Sequence, residues 1–150
     1  MEDNKYDKLK LENQICFPLY ACAKEVVRKY KPYLDELDLT YTQYITLMVL
    51  WDKKSMNVKE LGSFLFLDSG TLTPVLKKLE AKGYVKRTRS TEDERNLIVE
   101  ITVAGEELKD KAVNIPGKIG ACVPLTNEEA VTLYTLLYKV LNCVSAETEE

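Results

Sequence analysis

Cys16, in the run Leu11-Glu12-Asn13-Gln14-Ile15-Cys16-Phe17-Pro18-Leu19-Tyr20, is the side chain of this 150-residue sequence best suited to covalent chemistry. A thiolate attacks peroxides, and the sulfenic acid that results condenses with a second thiol. Such a sulfur needs its charged form stabilised, and the nearest cation in sequence is Lys10, almost two helical turns away. Phenolic hydroxyls can substitute for a cation by donating hydrogen bonds to the sulfur. A plainer reading stands beside this one. Cys16 lies seven residues from both Leu9 and Ala23, on a seam with Leu19, Val26 and Tyr30. A free cysteine on an apolar seam is commonly a small core residue.

The other cysteines, Cys22, Cys122 and Cys143, form no C-x-x-C pair, and the chain has no histidine. That argues against a zinc finger, a thioredoxin-type motif and a His-based triad, so no cofactor, metal or enzymatic activity is expected. Cys22 and Cys143 sit within helical patterns and read as core.

A second chemistry is suggested between residues 77 and 95. Seven basic residues (Lys77, Lys78, Lys82, Lys86, Arg87, Arg89, Arg95) stand there against four acids, giving +3 in a chain of net −3. Just upstream, the exposed face of an amphipathic helix offers Ser69, Thr71, Thr73, Lys77 and Lys78, groups able to touch base edges or phosphates. A solvated basic face has the same composition, and Glu92, Asp93 and Glu94 would repel DNA if all faced it. Asp93 reads better as the carboxylate that orients Arg95.

These residues need elements to hold them. A long helical pattern covers residues 6–31 and ends where Lys31-Pro32 disfavours helix. Thr40 caps a second helix through Trp51, Asn57 a third that ends near Leu65, and Asp68-Ser69-Gly70 opens a fourth, which stops at Gly83. Residues 84–90 and 97–102, rich in β-branched and aromatic residues and separated by a polar turn, read as a β-hairpin. A helix over 103–118, interrupted at Pro116-Gly117, precedes a last helix over 127–144. Two short helices joined tightly and followed by a hairpin make a winged helix-turn-helix, mainly α with a small β wing, in a single domain over residues 1–150. The acidic tail Glu147–Glu150 reads as a frayed end. No apolar run approaches a membrane span and the N-terminal residues do not read as a signal peptide, so a cytoplasmic protein with free thiols is expected.

The apolar stripe Leu133, Leu136, Leu137, Val140, Leu141 and Val144, added to that of residues 6–31, exceeds what one small core can cover. A two-fold homodimer built from residues 6–31 and 103–146 solves this, leaving residues 40–102 as the DNA-binding lobe. Two such lobes would read a pseudo-palindrome.

The run Leu67-Asp68-Ser69-Gly70-Thr71-Leu72-Thr73-Pro74-Val75-Leu76-Lys77-Lys78-Leu79-Glu80 resembles the recognition helix of MarR-type regulators, and Asp93-Glu94-Arg95 with Thr102 resembles their wing pattern. The segments Leu11–Phe17 and Leu39-Thr40-Tyr41-Thr42-Gln43-Tyr44 are similar to signatures of the OhrR branch, repressors that sense organic hydroperoxides. The resemblance implies that Ser69, Thr71, Thr73, Pro74 and Lys77 face the major groove of double-stranded DNA and that Arg95 enters the minor groove. It starts the recognition helix a turn before Thr73, where propensity alone would put Pro74 in the first turn. It implies that Cys16 is the redox sensor, with Tyr30 and Tyr41, and more weakly Tyr20, reaching the partner subunit's sulfur. Cys122 stands near the resolving position of one OhrR type, which makes a Cys16–Cys122 intersubunit disulfide the preferred outcome over capping by a small thiol. Thr42 stands where the family often has proline, a departure expected to loosen the loop presenting Tyr41. Other readings remain: a MarR-type sensor of a small aromatic ligand with Cys16 structural, a thiol peroxidase, or a winged-helix module that binds protein.

Overall fold

The computed structural model describes residues 4–146; the acidic tail and the first three residues lie outside that range. Two 3-10 turns (Asp7–Leu9 and Leu11–Asn13) lead into α1 (Cys16–Asp35). There follow α2 (Tyr41–Lys53), β1 (Ser55–Asn57), α3 (Val58–Leu65), α4 (Ser69–Ala81), β2 (Val85–Arg89), β3 (Leu97–Ile101), α5 (Val103–Ala112), α6 (Ile115–Gly120) and α7 (Asn127–Ala146). The strands form one antiparallel sheet in the order β1-β3-β2, with Val99 paired to Met56 on one side and Arg87 on the other. This is a winged helix-turn-helix.

Local signals start most of the helices. Thr40 and Gln43 form a reciprocal capping box on α2, Asn57 accepts from the Lys59 amide at 2.7 Å, and Asp68 accepts from the Thr71 amide at 2.7 Å. Each cap leaves an apolar stripe facing inwards. Leu47, Leu50, Leu61, Leu72, Leu76, Leu79 and Val99 are all at most 1 % exposed, and Tyr44 and Trp51 complete the core of the lobe.

The structure corrects four expectations about where elements begin and end. The pattern over 6–31 is not one helix: Asn13 and Gln14 donate side-chain bonds back to the Asp7 and Lys8 carbonyls, holding 3-10 turns, so α1 begins at Cys16. Nor does it stop before Pro32, which lies inside α1; buried Leu34, 2 % exposed, anchors the last turn to the core and outweighs the lost hydrogen bond. The interruption in the fifth helical segment falls at residues 113–114, because Pro116 is accommodated in the first turn of α6. The polar stretch Asp52 to Met56 reads in sequence as a break before the Asn57 cap, yet residues 55–57 pair with β3.

Helix α7 stands apart. Residues 127–140 are all exposed, including Leu133, Tyr134, Leu136, Leu137 and Val140. Cys22 and Cys143, expected in the core, are exposed on α1 and α7, because each side chain is turned away from the buried cluster. Among the described residues no helix is long and apolar enough to cross a membrane.

Candidate nucleic-acid interface and thiol site

Helix α4 begins at Ser69, four residues before Thr73, so the Asp68 cap rather than Pro74 sets its start. Leu72, Leu76 and Leu79 are buried, which turns Ser69, Thr71, Pro74, Lys77 and Lys78 outwards; Thr73 is half-buried. The result is a short polar ridge with cations at its C-terminal half, of a width that enters a major groove.

The wing is braced from within. Asp93 Oδ1 accepts from the Arg95 backbone N–H at 3.0 Å and from its Nε at 3.3 Å, leaving a guanidinium whose side chain is 93 % exposed. Arg89 Nη1 donates to the Glu94 carbonyl at 2.8 Å across the loop, and the Ser90 amide donates to the Asn96 carbonyl at 2.7 Å. Arg95 is thus presented by a closed loop. Arg89 has a bracing contact of its own.

Arg87 is engaged more deeply. Its Nε and Nη2 donate to Glu80 Oε2 at 3.0 and 2.7 Å, and its backbone N–H donates to Glu80 Oε1 at 3.0 Å. This three-bond clamp ties β2 to α4, and the Arg87 hydrogen bonds hold the Glu80 carboxyl below the usual carboxylate range. A group so depressed contributes stability above its unfolded pKa and loses that contribution as pH falls through its folded value. Glu80→Gln therefore lowers the melting temperature at pH 7, and its gap from wild type closes below about pH 4, the unfolded glutamate range. Thermal melts across that range check it; a gap constant with pH would contradict the clamp. Sequence reading missed Glu80, because its partner lies seven residues away on a different element and no periodicity joins them.

Cys16 is the first residue of α1 and is exposed, and Ile15 before it supplies no side-chain cap. The sulfur is therefore carried at the N-terminus of α1, open to solvent. Tyr30 lies fourteen residues along the same helix, about 21 Å away at 1.5 Å per residue. There it meets Tyr41 edge to face, with ring centroids 5.0 Å apart, and Tyr44 packs against both. Burial raises the pKa of all three tyrosines, and Tyr30 adds to the shift of Tyr41 and Tyr44, so their hydroxyls stay protonated donors at neutral pH. Tyr20 is exposed on the first turns of α1. Thr42 does not loosen the Tyr41 segment: the capping box closes around it, with its hydroxyl 3.2 Å from that of Thr40.

Cys122 follows α6, exposed, its Sγ 3.5 Å from the Lys118 carbonyl. Lys118 Nζ lies 4.9 Å from the centre of the Tyr33 ring, which docks α6 at the C-terminal end of α1. Within one chain, then, Cys16 occupies one end of α1 while Tyr30, Tyr41 and Cys122 gather near the other. No arrangement of a single rigid helix brings them together.

Residues 28–112 match the family model described as transcriptional regulator SarA/Rot. The organic hydroperoxide resistance transcriptional regulator of Bacillus subtilis is 48% identical over 139 residues, which span 93% of this chain and 95% of that protein. The solved structure of reduced AbfR bound to DNA, a protein known from Staphylococcus epidermidis, superposes with a TM-score of 0.80 at 30% identity and covers 97% of this chain and 100% of that one. Disulfide-formed AbfR gives a TM-score of 0.66 at 31% identity, over 93% and 96% of the two chains. The chain belongs to the MarR family of winged-helix transcriptional regulators, in its organic hydroperoxide resistance branch.

Proposed function

We propose that the protein is a homodimeric repressor that binds a pseudo-palindromic operator when reduced and leaves it when an organic hydroperoxide oxidises Cys16. The observation that carries this reading is the separation along α1: the sensor thiol and its tyrosine donors lie about 21 Å apart in one chain. A second copy whose α1 runs antiparallel brings Tyr30 and Tyr41 of one subunit to the sulfur of the other. The bare apolar face of α7 supports the same dimer, because it requires cover.

In the dimer, Ser69, Thr71, Thr73, Pro74, Lys77 and Lys78 of each lobe enter successive major grooves, and each Arg95 reaches the flanking minor groove. The neighbours support DNA as partner, since AbfR is known bound to it. The described conformation is nearer the reduced, DNA-bound neighbour than the disulfide one, as expected of a DNA-competent form. Arg87 and Arg89 act inside the protein, holding the wing, more than on phosphate.

The chemistry balances simply. The Cys16 thiolate attacks the distal peroxide oxygen, the O–O bond breaks, and the alcohol departs, leaving a sulfenic acid. The partner's Cys122 thiol then attacks that sulfur, water leaves, and an intersubunit disulfide remains. Closing it needs the two sulfurs to approach to bonding distance, which pulls the N-terminus of one α1 toward the partner's α6 and tilts the lobes off register.

The reading is tested by gel shift on a palindromic promoter fragment, in which organic hydroperoxide releases the reduced wild-type protein. A complex unaffected by oxidant would sink it. On non-reducing electrophoresis, Cys122→Ser loses the peroxide-induced dimer band; a band that persists excludes Cys122 as the resolving thiol.

A further inference from the structure

Of the three aromatic residues on helix α2, Tyr41 and Trp51 stand at opposite ends and face different partners. Tyr41 stands in its first turn and Trp51, the sole tryptophan of the sequence, in its last, on a 13-residue helix about 20 Å long. Trp51 is 8 % exposed, and its indole Nε1 donates at 2.8 Å to the carbonyl of Gly105, 54 residues away in sequence. Its ring meets Tyr44 edge-on at 6.3 Å, and Tyr44 packs on Tyr41 at 6.4 Å.

Gly105 in turn has no slack. A Cβ built there would lie 2.3 Å from the Tyr84 carbonyl oxygen, so the start of α5 rests directly on the turn that joins α4 to β2. Thr102 fastens the same place: its hydroxyl donates to the Gly83 carbonyl at 2.6 Å and accepts from the Gly105 amide at 3.1 Å, and its own amide donates to the Tyr84 carbonyl at 3.0 Å. Gly83, with φ +78°, is the pivot between recognition helix and wing.

We propose that Trp51 is a positioning residue that transmits displacement of Tyr41 through Gly105 and Thr102 to the Gly83–Tyr84 turn, setting the angle between recognition helix and wing. A capped helix moves as a rod, so a shift at its tyrosine end reaches Trp51 nearly undiminished. The Trp51–Gly105 bond is buried, and the next contact is backbone on backbone, where no side-chain rotation absorbs the motion. A surface contact between Lys82 and Asp38 joins similar regions, but the Asp38 side chain is 91% exposed and the pair is screened by solvent. The role of Tyr41 as the moving part rests on the sensor reading above.

The test is amide hydrogen exchange on the reduced, DNA-free protein, at the Gly83 and Tyr84 amides, which are bonded to the Glu80 and Leu79 carbonyls. Tyr41→Ala speeds their exchange about tenfold when Trp51 is present. With Trp51→Phe, which keeps an aromatic ring and removes the N–H, the same substitution changes exchange by less than about twofold. Thr102→Val, which cuts the link at its other end with little change of volume, gives the same result and covers the case in which Trp51→Phe fails to fold. No effect of Tyr41→Ala at the turn, or an equal effect in all three backgrounds, overturns the proposal. Neither oxidant nor DNA enters this measurement, so failure of hydroperoxide to release the operator would refute the repressor reading while leaving the link standing.

Discussion

Replacing Leu136 and Leu137 together by lysine is expected to give a folded monomer whose operator affinity is lower by about a thousandfold, within the range by which linking two binding modules exceeds one. Both leucines are exposed in the isolated chain, 53 % and 41 %, on a helix whose residues 127–140 are all exposed. The core of Leu47, Leu50, Leu61 and Leu76 is untouched, so the winged lobe keeps its fold. In the dimer, four lysines would be driven into a dry interface without partners, and an unpaired buried charge is costly enough to dissolve it. Sedimentation velocity reads the oligomeric state and fluorescence anisotropy the affinity. A variant that stays dimeric would show that α7 does not carry the interface.

Cys16→Ser is expected to bind the operator as the reduced wild type does and to remain bound under organic hydroperoxide. Wild type under the same treatment loses affinity about a hundredfold, toward the upper end of usual coupling between two sites. Serine keeps the size and the hydrogen-bonding capacity of the side chain at the start of α1, so folding and dimer contacts persist. What it lacks is a sulfur nucleophile and an oxidised form that condenses with a thiol. Anisotropy titrations with and without oxidant measure both states.

Much of the fold is legible because its signals are local. The Thr40–Gln43 capping box, the Asn57 and Asp68 caps and the stop at Gly83 each lie within a few residues of what they punctuate. The β-branched and aromatic residues on either side of the polar turn mark the hairpin for the same reason. Errors fall where distant contacts decide. Pro32 is a helix breaker until buried Leu34 holds the turn beyond it, and Asp52 to Met56 looks like a polar break until β3, more than forty residues later, pairs with residues 55–57. Cys16 looks mid-helical because leucines recur around it; side chains of Asn13 and Gln14 move the helix start to the thiol itself.

The interface residues divide along the same line. The outward set on α4 follows from its buried stripe and was readable, and the spacing of Asp93 and Arg95 anticipated their contact. Arg87 was read by its charge alone, whereas Glu80 on another element commits it to the protein. Cys22 and Cys143 were read from helical pattern as core, and no pattern within one chain tells a core-facing stripe from one that is left bare.

The most direct measurement follows one operator complex through a titration with substoichiometric organic hydroperoxide, reading DNA release by anisotropy and Cys16 oxidation by mass spectrometry on the same samples. Release that rises in step with Cys16 oxidation, with the oxidised form carried into the Cys16–Cys122 disulfide, is the expected result. Release before Cys16 is modified, or full oxidation of Cys16 with the operator still bound, would contradict a thiol switch.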